Sequence, residues 1–329
     1  MSGRSLVPEH ELAPLDVWLH DPDVTEVLVN GEHEVWVERN GRLERAATLP
    51  DGRLDVLLER ILAPTGRRLD RLCPVVDARL ADGSRVCAAI PPVAVDGRCL
   101  AIRRFTTATL GLEAFAPPQV CELLVRLVES RCNVLVAGAT SSGKTTLLNA
   151  LAGHLPDHER IITLEDTAEL ALHTSHVLRL ESRDATADGL AAIDVGALLR
   201  AALRLRPDRL VLGEIRGDEA FTLVQAMSTG HDGSMATLHA SSTVDALRRV
   251  EVLSLLAAPA WPLSAIREQV HAAVAPVVLV GRGADGCRQV VEVAEVVADD
   301  ATLTAAGGER LRLLARAGDI VDTPRRSRR

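Results

Sequence analysis

The segment Gly138-Ala139-Thr140-Ser141-Ser142-Gly143-Lys144-Thr145 constrains this chain more than any other feature. Two glycines five apart, then lysine and a hydroxyl residue, follow the phosphate-loop pattern G-x-x-x-x-G-K-[ST]. The apolar run Asn133-Val-Leu-Val-Ala137 before it predicts a buried parallel strand, and Thr146-Leu-Leu-Asn-Ala-Leu-Ala-Gly153 after it predicts a helix. In a strand–loop–helix unit of this kind, successive backbone N–H groups cradle phosphate oxygens and the helix turns its positive end toward them. The nucleotide-binding set is then Gly138 through Thr146. Lys144 would bridge the β and γ phosphates of a nucleoside triphosphate, and the Thr145 hydroxyl would ligate Mg²⁺. Lys144 is the only lysine in a chain otherwise supplied with arginine. A compact ammonium on a slim stem fits inside a tight loop where a broad guanidinium does not. The plain alternative is a Gly/Ser-rich turn between two ordinary elements.

A chain of 329 residues, 47% of them apolar, predicts two domains with a sizeable core. A net charge of −8, with three Phe, three Trp and no Tyr, argues against direct nucleic-acid binding. No pair among Cys73, Cys87, Cys99, Cys121, Cys132 and Cys287 has C-x-x-C spacing, so no zinc site is expected. No apolar stretch reaches membrane-spanning length, and the first ten residues lack a signal-peptide core. These features together predict a cytoplasmic protein.

The pattern of elements changes along the chain. Residues 1–105 read as a small α+β domain. Asn30-Gly31, Asn40-Gly41 and Asp82-Gly83 punctuate short alternating strands, and residues 53–65 repeat apolar positions at helical spacing. Residues 106–118, with Gly111, Pro117 and Pro118, read as a linker. Residues 119–321 alternate strands and helices, which predicts an α/β domain on a mostly parallel sheet, closed by a hairpin around 283–286. Residues 322–329 read as a basic, disordered tail.

Ligands of parallel sheets bind at the carboxyl ends of strands, and three polar clusters fall at such ends. In Leu164-Glu165-Asp166-Thr167, neighbouring acids point to opposite sides of an extended chain. Glu165 is the one expected to face the nucleotide, and a helix cap at Asp166 or Thr167 is the alternative. In Leu210-Val-Leu-Gly213-Glu214-Ile-Arg216-Gly217, an apolar strand ends in an acid, as in a Walker B element. Glu214 suits polarising water for attack on a γ-phosphate, and a surface acid paired with Arg216 is the alternative. In His231-Asp-Gly233-Ser-Met-Ala-Thr237-Leu-His239, two histidines bracket a glycine turn, and Thr237 and His239 share one strand face. Arg79, Arg85, Arg103 and Arg104 lie on strands of the first domain, either as a solvated face or as arginines offered to the γ-phosphate.

In this order, the phosphate loop, the Glu165-Asp166 box, the Gly213–Gly217 box and the His231…His239 box resemble the secretion ATPases of type II and type IV systems. Val29-Asn-Gly31, Asp77–Arg85, Ile102-Arg103-Arg104-Phe105 and Leu203-Arg-Leu-Arg-Pro-Asp208 are similar to the Tad/Flp pilus-assembly (CpaF/TadA) branch. The tetracysteine insert of type II members is absent. The resemblance implies a homo-hexamer of two-domain subunits, each a PAS-like domain followed by a RecA-like P-loop ATPase domain, with ATP and Mg²⁺ between them. It implies Glu214 as the hydrolytic acid and Glu165 as its partner for Mg²⁺ and water. His231 and His239 would be phosphate or interface sensors, and Arg79, Arg85, Arg103 and Arg104 would contact the γ-phosphate. The partner it implies is an inner-membrane platform protein through which pilin or substrate moves, with peripheral membrane association. A non-motor ATP switch and a small-molecule P-loop kinase are the other readings. The Glu214 and histidine boxes speak against the kinase.

Overall fold

A computed structural model describes residues 12–39, 41–105, 110–183, 185, 189–283, 286–297 and 311–324. The chain divides into two compact units, Met1–Thr107 and Ala108–Arg329.

The first unit holds α1 (Asp16–Leu19), β1 (Val24–Asn30), β2 (Glu34–Arg39), β3 (Arg42–Thr48), α2 (Arg53–Leu62), β4 (Val75–Arg79), β5 (Arg85–Ala89) and β6 (Cys99–Arg103). The six strands form one antiparallel sheet in the order β3-β2-β1-β6-β5-β4. Alternation decides which face is inside: Val27, Val29, Val35, Val37, Val86, Leu100 and Ile102 are all buried. Leu54, Leu57, Leu58, Ile61 and Leu62 recur at helical spacing, so α2 buries one stripe in the same core. The expected hairpin before Gly41 is present, although Asn40 itself lies outside the described residues.

The second unit begins with α3 (Pro118–Glu129), β7 (Val134–Gly138), α4 (Lys144–Ala152), β8 (Ile161–Glu165) and β9 (Val177–Glu181). It continues through α5 (Val195–Ala202), β10 (Arg209–Leu212), α6 (Glu219–Ser228), β11 (Met235–His239), α7 (Thr243–Ala257) and α8 (Leu263–Ala273). Last come β12 (Pro276–Arg282), β13 (Arg288–Val296), β14 (Leu311–Arg316) and β15 (Asp319–Ile320). They build one sheet in the order β15-β14-β13-β12-β7-β11-β10-β8-β9. From β12 to β9 neighbouring strands run parallel, and β13 to β15 are added antiparallel. Both faces of the parallel part are covered. Leu135 and Ala137 of β7 enter one core, and Val134 and Val136 enter the core on the other face.

Two expectations are corrected here. Residues 110–117, read as linker, belong to the second unit: Leu112 and Phe115 are 3% and 2% exposed and pack in the core beneath α3. The prolines that suggested a hinge start α3 instead, because proline suits the first turn of a helix. Residues 106–109 lie outside the described set. The tail is held at its beginning: Arg312 donates to Asp322 Oδ2 at 2.6 Å and to the Thr323 carbonyl at 2.7 Å. Residues 325–329 lie outside the described set.

Candidate active site

The phosphate loop has the local geometry its glycines require. Gly143 is in the left-handed region, φ +99°, at the head of α4. A Cβ on Gly138 would lie 2.4 Å from the Val280 carbonyl oxygen and 2.5 Å from Ser142 Oγ, so the first glycine is needed for close backbone approach. Lys144 is nearly buried. Its Nζ donates to the Gly138 and Ala139 carbonyls at 3.3 and 3.0 Å and lies 3.1 Å from His239 Nδ1.

A line of charged groups leads away from that lysine. An ammonium has no lone pair to offer, so His239 Nδ1 is the acceptor and Nε2 carries the ring proton. Nε2 lies 2.9 Å from Glu214 Oε1. Burial, and then the Lys144 charge, push the His239 pKa down, while Glu214 opposes them. The ring is therefore neutral at pH 7 and lies between an ammonium, to which it is hydrogen-bonded, and a carboxylate oxygen that makes no hydrogen bond. Glu214 Oε2 accepts from Arg216 Nη2 at 2.5 Å and Nε at 2.8 Å, and Arg216 Nη1 lies 3.3 Å from Asp166 Oδ2. The loop after β10 is fixed by Glu219, whose Oε1 accepts the Arg216 and Gly217 N–H groups at 2.6 and 2.8 Å. Thr237 Oγ1 donates to the Gly213 carbonyl.

Glu165 and Gly213 explain each other. Glu165 is 3% exposed at the end of β8, and a Cβ on Gly213 would lie 2.8 Å from Glu165 Cγ. The stem of Glu165 fills the space that a side chain at position 213 would need. This accounts for glycine where many P-loop proteins carry aspartate. Replacing Gly213 with alanine should overpack the site and cost roughly 1–3 kcal/mol, read as a lowered thermal midpoint.

Glu165 Oε1 accepts the Glu169 and Leu170 N–H groups, each at 2.8 Å, while Oε2 is buried without a hydrogen-bond partner. Burial outweighs those two bonds and raises the pKa from 4.5 to about 7. Between those values the folded state holds a proton that the unfolded chain has lost. Stability therefore falls as pH rises, by roughly 3 kcal/mol in total above pH 7. Glu165→Gln removes that titration. Urea unfolding at pH 5 and pH 8 should show the variant gaining on the parent by up to that amount at the higher pH.

The arginines of the first unit divide. Arg79 of β4, Arg85 of β5 and Arg103 of β6 are register partners in one row across three strands. Like charges directly opposite are unfavourable in a sheet, and the row continues to Glu26 of β1, the register partner of Arg103. Arg79 Nε also donates to the Gly83 carbonyl at 3.2 Å, and Arg103 lies 3.6 Å from Glu26. Arg104 is not part of the row. Its Nη1 donates to the carbonyls of Asp21 and Val24, because the next residue on a strand points to the other face.

The two histidines are likewise separated. His239 ends β11 beside Lys144, whereas His231 precedes that strand, roughly 13 Å of strand away at the opposite sheet edge. His231 Nδ1 lies 3.3 Å from the Ala226 carbonyl at the end of α6. A parallel strand delivers only its carboxyl end to the phosphate edge, so the spacing of the pair misled.

Hard oxygen donors at Thr145, Glu165 and Glu214 fit Mg²⁺, and the buried, unpartnered Glu165 Oε2 leaves a carboxylate oxygen for it. The Gly143 turn fits a phosphate. Sequence reasoning missed Glu219, and it missed Arg282 and Arg288, which stand against the phosphate loop. Their signal was the hairpin turn at 283–286; the strand that hairpin would join was not legible.

Residues 9–318 match the family profile described as Type II/IV secretion system protein. The type IV secretion system protein PtlH of Bordetella pertussis is 36% identical over 329 residues, 88% of this chain and 95% of that protein. A Mycobacterium tuberculosis protein whose name provisionally assigns it to conjugal transfer is 36% identical over 293 residues, 85% of this chain and 83% of that protein. In fold, the chain is similar to the pilus retraction motor PilT with bound ADP, at a TM-score of 0.62 and 19% identity, covering 85% of this chain and 80% of that one. Residues that supply a phosphate loop, a strand-end acid and a bridging histidine on one edge of an α/β sheet accord with that match, and the chain belongs to the type II/IV secretion system protein family.

Proposed function

We propose that this protein is an ATP-hydrolysing motor subunit for secretion or pilus assembly, of the Tad/Flp (CpaF/TadA) type. The observation that carries the reading is the cluster of Lys144, His239 and Glu214, with the His239 ring 3.1 Å from the ammonium and 2.9 Å from the Glu214 carboxylate. ATP binds with its phosphates on Gly138–Thr146. The γ-phosphate takes Lys144 from the Gly138 and Ala139 carbonyls and from His239. His239, released, turns toward the phosphate, and Glu214, released from His239, is free to polarise the attacking water. Water adds to the γ-phosphorus, the bond to ADP breaks, and Glu214 receives the proton. Thr145, Glu165 and Glu214 are the residues that would hold Mg²⁺, which would supply charge neutralisation at the phosphates. The row Arg79, Arg85 and Arg103 is the source of positive charge that a neighbouring subunit would offer to the γ-phosphate.

The working assembly is a homo-hexamer, cytoplasmic and peripheral at the inner face of the membrane, against a platform protein. Among the described residues, no helix is long and apolar enough to cross a membrane. Phosphate release measured against protein concentration tests the assembly. A rate rising faster than linearly supports an active site completed by a neighbour, and a strictly linear rate argues against it. One observation favours a second reading, a nucleotide switch with little turnover: Arg216 holds Glu214 Oε2 through two N–H groups, and Oε1 is buried. ATP binding without phosphate release at any concentration would select it.

A further inference from the structure

Arg282 ends β12 and Arg288 begins β13, and the two face each other as the last register pair at the hairpin mouth. β12 runs beside β7, with Leu279 opposite Ala137, so the mouth of the hairpin stands next to the phosphate loop. Arg282 Nη2 donates to the Ser141 carbonyl at 3.1 Å, and its Nη1 donates to the Gly286 carbonyl at 3.0 Å. The stem of Arg288 crosses Gly143: a Cβ on that glycine would lie 2.7 Å from Arg288 Cδ and 3.3 Å from its Nε. Two guanidinium groups thus flank the loop from elements about 140 residues away in the chain.

The sheet order says which end of a nucleotide they would meet. β8, β10 and β11, which carry Glu165, Glu214 and His239, all lie on one side of β7, and β12 lies on the other. A triphosphate seated on the head of α4 with its γ-phosphate toward Glu214 has its nucleoside end on the β12–β13 side. We propose that Arg288, with Arg282 beside it, forms a cationic wall for the α-phosphate and ribose. The hairpin then grips the part that ATP and ADP share. This inference rests on the reading of the loop as an ATP site. A wall of this kind lets the chain hold ADP after the γ-phosphate has left, while Lys144 and His239 respond to the γ-phosphate itself.

The competing account is a buttress. Ser141 is left-handed, φ +57°, a strained setting for a non-glycine residue, and Arg282 could simply hold its carbonyl. Arg288 separates the two accounts, because Arg288→Met keeps the apolar stem over Gly143 and removes the guanidinium. Equilibrium binding of ADP and of a non-hydrolysable ATP analogue to the full chain should weaken by the same factor, about tenfold, for one charge-assisted phosphate contact. Arg288→Lys should recover part of that loss, and thermal unfolding without nucleotide, measured for both variants, shows that each is folded under the binding conditions. Unchanged affinity for both ligands would overturn the proposal in favour of the buttress. A loss confined to the ATP analogue would overturn it by placing the charge at the γ-phosphate. Lys144→Ala, measured in parallel, tests the underlying site. If it binds ADP as well as the parent does, the ATP-site reading fails, and this inference with it.

Discussion

Glu214→Gln will lower ATP hydrolysis by about 10²–10⁴-fold, the range for losing a positioned general base, and will leave ATP affinity close to that of the parent. The amide keeps the shape of the side chain and a carbonyl oxygen for Arg216, so the loop held by Glu219 stays in place. It cannot accept a proton from water. Steady-state phosphate release and equilibrium nucleotide binding check the two halves separately. Loss of both together would show that Glu214 organises the site instead of acting on water. Retention of hydrolysis would remove Glu214 from the mechanism.

Lys144→Ala will act on binding. Losing one cation shared by the β and γ phosphates should weaken ATP by about 10²–10⁴-fold, from two charge-assisted bonds. The same substitution has a second readout that needs no nucleotide. The Lys144 charge is one of the causes that hold the His239 pKa down, and Glu214 pulls the other way. With the lysine gone, the ring should protonate at higher pH than in the parent, visible in an NMR titration of the imidazole. Nδ1 would then carry a proton where it now accepts from the ammonium. An unchanged titration would mean that the 3.1 Å contact between Lys144 and His239 does not persist in solution.

How much of this was legible before folding varies by residue. The phosphate loop was fully so, because its chemistry is local: glycine spacing, one lysine and the helix after it are properties of consecutive residues. Glu214 was legible for the same reason, as an acid directly after an apolar strand. His231 and Arg104 show the limit. Each lies near its neighbour in sequence but apart from it in space, His231 by the direction of β11 and Arg104 by the alternation of its strand. Conversely, Arg79, Arg85 and Arg103 are spread over 25 positions, yet they share a row because three strands pair in register.

The sequence alone determined the two-part α/β organisation and the identity of the phosphate loop, since hydrophobic period and turn chemistry act over a few residues at a time. Tertiary structure alone decided what surrounds that loop. Sheet order placed His239 between Lys144 and Glu214, close packing made Gly213 the room for Glu165, and the pairing of β12 with β7 and with β13 brought Arg282 and Arg288 to the side opposite the acids. Those placements depend on which strands become neighbours, and that is set by burying both faces of a sheet at once, a condition on the whole chain and not on any stretch of it.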